Sequence, residues 1–293
     1  MRRGTIIFQG ISMNNKTILI TGASGGIGLQ SAIGLAKQGV NIVMVGRDKE
    51  RTSQAVELVR TQTGNQSVSY LLADLSSIQE VRRLAQEFKD KYPALDVLLN
   101  NAGAVLLRRK VSVDGYEMTL ALNHLNYFLL TQLLLDMLKA APAGRIVNVA
   151  SRAHYRGHVN FEDLQSQHGY NGMRVYSMSK LMNVLFTYEL ARRLDGTNVT
   201  ANCLHPGFVA SNFGGNNGWI ARIAMRFMTG RISVEEGAKC PIFLASSPDV
   251  QGVSGKYFNY DTQETRSSEE SYDQNIARRL WDVSEELVAI QPV

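Results

Sequence analysis

The stretch Thr17-Ile18-Leu19-Ile20-Thr21-Gly22-Ala23-Ser24-Gly25-Gly26-Ile27-Gly28 decides how this chain folds. It begins as a short run of strand-forming residues and continues into glycines that are typical of a tight turn. An amphipathic stretch over residues 26–38 follows at once and predicts a helix. A turn between a strand and a helix presents backbone N–H groups and the positive end of the helix dipole at one point. The stretch therefore predicts a binding site for the pyrophosphate of a dinucleotide.

The rest of the chain repeats this alternation of apolar runs and amphipathic stretches. Strands are predicted at 17–20, 41–45, 68–72, 97–99, 145–149, 199–203 and 256–259. Helices are predicted at 26–38, 49–61, 78–89, 116–139, 176–194, 234–245 and 275–288. The pattern is that of an α/β protein with a single-domain, Rossmann-type, doubly wound parallel sheet of seven strands and helices on both faces. No linker or repeat divides the chain, so residues 13–293 are predicted to form one domain, and residues 1–12 a disordered N-terminal extension.

Composition excludes several classes of protein. The chain has 293 residues, of which 44% are hydrophobic and 19% charged, as in soluble globular proteins. The net charge of +5 is spread over scattered basic pairs, so we expect no nucleic-acid partner. No apolar run approaches the roughly 20 residues of a membrane-spanning helix, which argues against a transmembrane anchor. Cys203 and Cys240 lie in apolar runs without CxxC spacing, which indicates reduced thiols and a cytoplasmic location.

The end of the second predicted strand indicates which dinucleotide binds. An acidic residue there would accept hydrogen bonds from a ribose 2′-hydroxyl, whereas an arginine favours a 2′-phosphate. The strand ends at Gly46 and Arg47 follows, which favours NADP(H) over NAD(H). Asp48 comes next and leaves two interpretations open, because it can serve the ribose or cap the following helix.

Tyr176 and Lys180 are spaced so that their side chains share one face of a helix. A phenol with a pKa near 10 is a poor base at neutral pH, and a nearby cation favours its ionised form. Such a phenol can exchange a proton with an alcohol or carbonyl oxygen while a hydride moves to or from a nicotinamide. Alone, such a pair is more often part of a solvated helix face.

The combination of motifs resembles the short-chain dehydrogenase/reductase family over residues 16–288. The motifs, in the order seen in that family, are Thr21-Gly22-x-x-x-Gly26-x-Gly28, Asn100-Asn101-Ala102-Gly103, Ser151, Tyr176-x-x-x-Lys180 and Pro206-Gly207. Within the family, segments 113–117, 123–125, 145–149, 161–164 and 179–181 are similar to those of the retinol-dehydrogenase-like group.

The resemblance implies a role for each catalytic candidate. Tyr176 would give or take the proton, Lys180 would lower the pKa of Tyr176 and hold the nicotinamide ribose, and Ser151 would hydrogen-bond the reacting oxygen. Asn123 would position a water linked to Lys180. The family often has glycine where Asn126 stands, so Asn126 is an alternative to Asn123 on the same helical face.

The resemblance also implies the residues that hold the cofactor, along the turn, the ends of later strands and the catalytic helix. They are Gly22, Ser24, Gly25, Gly26, Ile27, Gly28, Arg47, Asp74, Leu75, Asn101, Ala102, Gly103, Tyr176, Lys180, Pro206, Gly207 and Val209.

We therefore expect an NADP-dependent oxidoreductase acting on a small lipophilic alcohol or carbonyl compound, similar to a retinol dehydrogenase or a carbonyl reductase. The alternative is a noncatalytic NADP(H)-sensing protein on the same fold. A sugar-nucleotide epimerase is disfavoured, because little chain follows the last predicted strand.

Four other features invite interpretation. Helices at 120–138 and 181–194 are apolar on more than one face, which predicts a homodimer or homotetramer. Residues 213–228 fit a substrate lid, a plain packed helix or a membrane-surface helix. His154 and His158 have the spacing of a helical metal pair but lack a third ligand, so no metal is expected. His205 is expected to be a loop residue beside the cofactor.

Overall fold

The computed structural model describes residues 13, 15–209 and 232–289. Seven strands form one sheet in the order β3-β2-β1-β4-β5-β6-β7, and every neighbouring pair is parallel. The strands are β1 Thr17–Thr21, β2 Asn41–Gly46, β3 Val68–Leu72, β4 Val97–Asn100, β5 Gly144–Val149, β6 Val199–Leu204 and β7 Tyr257–Phe258. The predicted fold class is confirmed, and the last strand is shorter than predicted.

Helices cover both faces of the sheet, because strand side chains alternate between two cores. The helices are α1 Gly26–Ala36, α2 Lys49–Thr63, α3 Ile78–Lys91, α4 Met118–Leu120, α5 Asn126–Ala140, α6 Gly172–Arg193, α7 Val234–Ser246 and α8 Gln274–Ala289. One core joins α1, α2 and α7 to strand residues such as Ile18 and Ile20. The other joins α3, α5, α6 and α8 to residues such as Leu19 and Leu98. This alternation has the period of two expected of strands buried on both faces.

Side-chain caps set where several helices begin. Asp48 accepts a hydrogen bond from the Arg51 amide at the start of α2, and Ser233 accepts one from the Glu236 amide at the start of α7. Asn171 caps α6 in the same way. A capping side chain satisfies N–H groups that have no partner within the helix. Because its cap is Asn171, α6 begins one turn earlier than predicted, and Tyr176 lies inside the helix.

The helix predicted at 116–139 is divided. A π-helical turn, Ala121–Leu125, separates α4 from α5. Such turns within helices are rare and frequently occur at functional sites. The turn carries Asn123, one of the two asparagines proposed for the site.

The second apolar face of α6 is covered by the chain itself. Helix α8 packs along α6, and its Trp281 ring lies 5.0 Å from the Phe128 ring and 5.9 Å from the Phe186 ring, centroid to centroid. Trp281 is only 4% exposed. A partner subunit is therefore not needed to cover α6. This apolar face no longer supports the predicted homo-oligomer.

Candidate functional site

The glycine turn between β1 and α1 is shaped by close backbone contacts. Gly22 has a φ of 65°, and a Cβ on it would stand 2.8 Å from the Ala102 Cα. A Cβ on Gly28 would stand 2.5 Å from the Gly22 carbonyl oxygen. Larger residues would force the turn open at both positions. Gly25 occupies the cap position of α1 and has no side chain to cover the first N–H groups of the helix. The turn thus fits a pyrophosphate at the start of α1.

The carboxyl ends of β1 and β4 are joined beside this turn. The Thr21 hydroxyl accepts hydrogen bonds from the amides of Asn101 (2.8 Å) and Ala102 (3.0 Å). The Asn101 side-chain amide donates to the Thr21 carbonyl at 2.8 Å. These bonds fix Asn101, Ala102 and Gly103 next to the glycine turn, where the sequence predicted them to line the cofactor cleft.

Arg47 and Asp74 meet at the neighbouring strand ends, β2 and β3. The Arg47 guanidinium lies 3.8 Å from the Asp74 carboxylate, and its side chain is 73% exposed. Asp48 uses its carboxylate to cap α2, accepting from the Arg51 amide at 2.8 Å. Of the two interpretations of Asp48, the structure therefore contains the helix cap. Leu75 is buried in the core, so only its backbone can face a ligand in the cleft.

Arg51 is a residue of this site that the sequence analysis missed. Its Nε donates to the Ser24 carbonyl at 3.3 Å, and its Nη2 lies 2.6 Å from the place that a Cβ on Gly25 would take. The guanidinium therefore lies against the glycine turn. The spacing of Arg47 and Arg51 across the start of a helix was the signal that could have revealed it.

The catalytic candidates lie at the ends of β5 and in α6. Ser151 follows β5 and hydrogen-bonds Tyr176 through its side chain. Tyr176 is 8% exposed and Lys180 is 2% exposed. The Lys180 ammonium donates to the Val149 carbonyl at 2.8 Å and lies 5.9 Å from the centre of the Tyr176 ring. The structure thus brings together the three groups that the sequence placed on separate elements.

Burial dominates the ionisation of this site. It raises the pKa of Tyr176 to about 12, and the hydrogen bond from Ser151 only partly opposes it. Burial also lowers the pKa of Lys180 to about 7. The lowering of the Tyr176 pKa by Lys180 stays a prediction, because burial is the largest influence on both groups here. At neutral pH Tyr176 is a neutral phenol, which is the form that donates a proton.

Asn123 connects the cofactor cleft to the catalytic helix. Its side-chain oxygen accepts from the Ala104 amide at 2.8 Å, and its side-chain nitrogen donates to the Ala104 carbonyl at 2.9 Å and to the Ser179 hydroxyl at 3.0 Å. A Cβ on Gly103 would stand 3.2 Å from Asn123 Oδ1 and 3.5 Å from Lys180 Nζ. Asn126 instead donates within its own helix, to the Leu122 carbonyl. Asn123 therefore lies at the site, whereas Asn126 is bonded elsewhere.

The loop after β6 closes the carboxyl edge of the sheet. Gly207 has a φ of 82°, and its amide donates to Nδ1 of His205 at 3.1 Å. Val209 bridges to Ile232, and Pro206 precedes this turn. Pro206, Gly207 and Val209 thus lie in the loop that leaves the sheet at the same edge as the glycine turn. His205 supports the loop, as expected. Residues 213–228 lie outside the described residues.

The described part of the chain holds neither a metal site nor a membrane-spanning helix. No group of three or more His, Cys, Asp and Glu side chains there could hold a metal ion. His158 pairs with Glu270 at 3.0 Å, while His154 is buried and bonded to backbone. Among the residues that the structure describes, no helix is both long enough and apolar enough to cross a membrane.

Comparison with known proteins agrees with this geometry. The short chain dehydrogenase family matches residues 16–218. Retinol dehydrogenase 14 of Mus musculus is 43% identical, over 95% of this chain and 87% of that protein. Polyprenol dehydrogenase of Homo sapiens is 36% identical over the same shares.

Solved structures give the same result. An uncharacterized protein from Mycobacterium paratuberculosis superposes with a TM-score of 0.77, with 32% identity over 96% of each chain. The Pseudomonas aeruginosa RhlG/NADP active-site complex superposes with a TM-score of 0.68, with 27% identity over 86% of this chain and 96% of that chain. The chain therefore belongs to the short-chain dehydrogenase family, an oxidoreductase family whose fold binds a nicotinamide cofactor.

Proposed function

We propose that the protein interconverts a lipophilic alcohol and its carbonyl compound with NADP(H). The observation that carries this proposal is the group of Ser151 with the buried Tyr176 and Lys180, at the same edge of the sheet as a glycine turn against which Arg51 lies. A noncatalytic cofactor sensor would need the turn but not the buried phenol and ammonium.

The residues of the site divide the chemistry between them. A bound nicotinamide would supply or accept the hydride. In reduction, Ser151 and Tyr176 would both donate hydrogen bonds to the substrate carbonyl oxygen, and Tyr176 would then transfer its proton to that oxygen. The Lys180 ammonium, held by the Val149 carbonyl, would stabilise the phenolate that remains and bind the nicotinamide ribose.

The two arginines support NADP(H) over NAD(H). Arg47 directly follows β2, where the ribose 2′-phosphate is expected, and Arg51 lies in the first turn of α2 against the glycine turn. Guanidinium groups bind phosphate well because their N–H groups are planar and paired. The NADP complex of the RhlG relative is consistent with this preference.

The described edges of the catalytic cleft support a lipophilic substrate. Leu107, Met173 and Phe208 are each about half exposed. Met173 lies one turn before Tyr176 in α6, Phe208 follows Gly207, and the Leu107 Cα is 2.8 Å from the place that a Cβ on Gly172 would take. Exposed apolar side chains near a cleft are typical of apolar ligand sites. Two relatives carry the names of retinol and polyprenol, both lipophilic alcohols.

Turnover with matched substrates tests the proposal. Purified protein would be assayed with NADPH and with NADH on aldehydes of increasing chain length, including retinal and a short water-soluble aldehyde as the control. We expect NADPH oxidation whose kcat/KM rises with chain length. NADPH binding without reduction of any aldehyde or ketone would support the sensor instead.

We also propose a cytoplasmic location, because Cys203 and Cys240 are both free and buried. Reduced thiols are typical of that compartment. Fractionation of cells that express the full chain would test it.

A further inference from the structure

His154 lies directly behind the catalytic serine. It is fully buried in the middle of the 3₁₀ turn Arg152–Arg156 that follows Ser151. Its Nδ1 lies 2.7 Å from the Ser151 carbonyl oxygen, and its Nε2 lies 3.2 Å from the Ser268 amide nitrogen. The ring therefore joins the catalytic serine to the segment that follows β7.

The two partners fix the tautomer of His154. The Ser151 carbonyl can only accept, so Nδ1 must carry a hydrogen and donate it. The Ser268 amide can only donate, so Nε2 must be bare and accept. The imidazole is therefore neutral and protonated at Nδ1. Burial also lowers the pKa of His154 to about 4, which agrees with a neutral ring.

Aromatic neighbours hold the ring in this orientation. The Tyr155 ring lies 4.1 Å and the Tyr257 ring 4.7 Å from the imidazole, centroid to centroid. The Tyr257 hydroxyl is 3.4 Å from Nδ1, farther than the Ser151 carbonyl. His205 packs on Tyr257 at 5.9 Å, and burial, together with the nearby charge of Arg152, lowers the pKa of His205 to about 4, so this second imidazole is also neutral.

We propose that His154 is a positioning residue for the reaction. Its Nδ1–H, together with the His154 backbone amide that donates to the same carbonyl at 3.0 Å, holds the Ser151 peptide so that the Ser151 hydroxyl faces Tyr176 and the reacting oxygen. The Ser151 hydroxyl also accepts a hydrogen bond from the Ala153 amide at 3.2 Å. This backbone amide therefore reports the orientation of the hydroxyl. This inference rests on the proposed function for its kinetic consequence, whereas its structural part stands on the hydrogen bonds alone.

Two substitutions separate positioning from simple packing. Asn places an amide nitrogen where Nδ1 lies, so His154→Asn keeps the donor to Ser151 and loses the acceptor for Ser268. Gln places its terminal amide near Nε2, so His154→Gln keeps the acceptor and loses the donor. Both remove the ring and one hydrogen bond, and we expect similar melting temperatures for the two variants.

The kinetic result should differ between the variants. We expect His154→Gln to lower kcat about tenfold or more with little change in KM for NADPH, because a small displacement of a reacting group costs much of the rate. We expect His154→Asn to stay within about threefold of wild type. Equal losses of kcat that follow the melting temperatures would overturn the proposal.

A measurement without turnover keeps the test separate from the proposed function. Hydrogen exchange of the Ala153 amide should match wild type in His154→Asn and be faster in His154→Gln, and equal rates would contradict the proposal. Nitrogen NMR of wild-type His154 should show hydrogen on Nδ1, and hydrogen on Nε2 would overturn the inference even if neither variant folds. Absence of turnover in wild type would reject the proposed function and leave both of these tests intact.

Discussion

The two ends of the cofactor cleft differ in their exposure to solvent. At the end that we propose for the adenine, Arg47 is 73% exposed and its partner Asp74 41% exposed. At the catalytic end, Tyr176 is 8% and Lys180 2% exposed. Water screens charges at the first, exposed end. Each ion pair there therefore contributes only modestly to the free energy and can be replaced by another charged contact. At the second end, burial raises the pKa of Tyr176 and lowers that of Lys180, so the proton that each group holds decides the chemistry.

The comparison predicts that the largest loss follows removal of one buried hydroxyl. Tyr176→Phe keeps the ring in its packing but removes the proton donor, so we expect turnover to fall about 10²- to 10⁴-fold. NADPH affinity, measured by fluorescence titration, should change little. Tyr188→Phe, on the same helix with its hydroxyl bonded to Ser267, is the matched control and should retain turnover. A Tyr176→Phe variant with nearly wild-type rate would refute the assignment of the buried end.

The stability of the buried end also depends on α8, the helix that covers α6. Trp281 packs on Phe128 and Phe186, and the Arg193 guanidinium lies 4.1 Å above its ring. Trp281→Ala should lower the free energy of unfolding by about 3–5 kcal/mol, as large-to-small core substitutions do. Urea denaturation measures this loss, with Trp281→Phe as the milder control.

Light scattering on the same proteins tests what covers α6. If α8 is the cover, wild type should need no second chain on this face, and Trp281→Ala should associate as apolar surface becomes exposed. A wild-type dimer that Trp281→Ala leaves unchanged in both stability and mass would contradict this account of α8.

The glycine turn could be predicted from the sequence because its geometry is local. Gly22 and Gly28 are needed where neighbouring backbone lies too close for a Cβ, and a glycine cluster after a strand is visible in one dimension. The Asp48 cap was likewise one of two interpretations open from local spacing. The seven parallel strands followed from the same kind of pattern.

The parts that the sequence did not predict depend on contacts between distant segments. The π-helical turn at Ala121–Leu125 occurs where Asn123 bonds the Ala104 backbone, which no helical periodicity records. The cover of α6 by α8 joins segments far apart in the chain, so the apolar face was assigned to a partner. The raised pKa of Tyr176 likewise arises from burial, which the spacing of Tyr176 and Lys180 does not reveal.

The exposed end predicts smaller and separable effects on cofactor choice. A charge-assisted contact to phosphate contributes about 1.5–3 kcal/mol, so Arg47→Ala and Arg51→Ala should each weaken NADPH binding roughly ten- to a hundredfold. NADH binding should change little, since NADH lacks the 2′-phosphate. Lys49→Ala, between the two arginines in sequence, controls for loss of surface charge.

The outcome also separates the roles of Arg47 and Arg51. If Arg51→Ala weakens NADH and NADPH equally, Arg51 serves the glycine turn or the pyrophosphate rather than the 2′-phosphate. If wild type binds NADH more tightly than NADPH, the proposed cofactor preference is wrong. An acidic residue is better introduced as Arg47→Asp than as Gly46→Asp, because a Cβ on Gly46 would overlap the Thr52 hydroxyl of α2.

The smallest effect is a fall in rate at alkaline pH, where the buried Lys180 ammonium loses its proton. Lys180 faces the Tyr127 ring at 5.6 Å and the Tyr176 ring at 5.9 Å, and burial lowers its pKa to about 7. Its charged form predominates below that pH, so kcat/KM for NADPH in aldehyde reduction should be level at acidic pH. It should then fall about tenfold for each pH unit above 7, because this parameter reports groups of the free enzyme.

The free energy of unfolding should change with pH in the direction opposite to kcat/KM. Between pH 7 and the ordinary lysine pKa of 10.5, the unfolded chain holds a proton that folded Lys180 has lost, so the Lys180 contribution to the free energy of unfolding rises with pH. The pKa values of Tyr176, about 12, and of His154 and His205, about 4, lie outside this range and cannot produce the fall in rate. Lys180→Met should abolish both the fall in rate and this part of the stability slope. A kcat/KM that stays level from pH 6 to 9 would mean that Lys180 keeps its proton despite burial, and the contrast between the two ends of the cleft would then lie in hydrogen bonding rather than in desolvation.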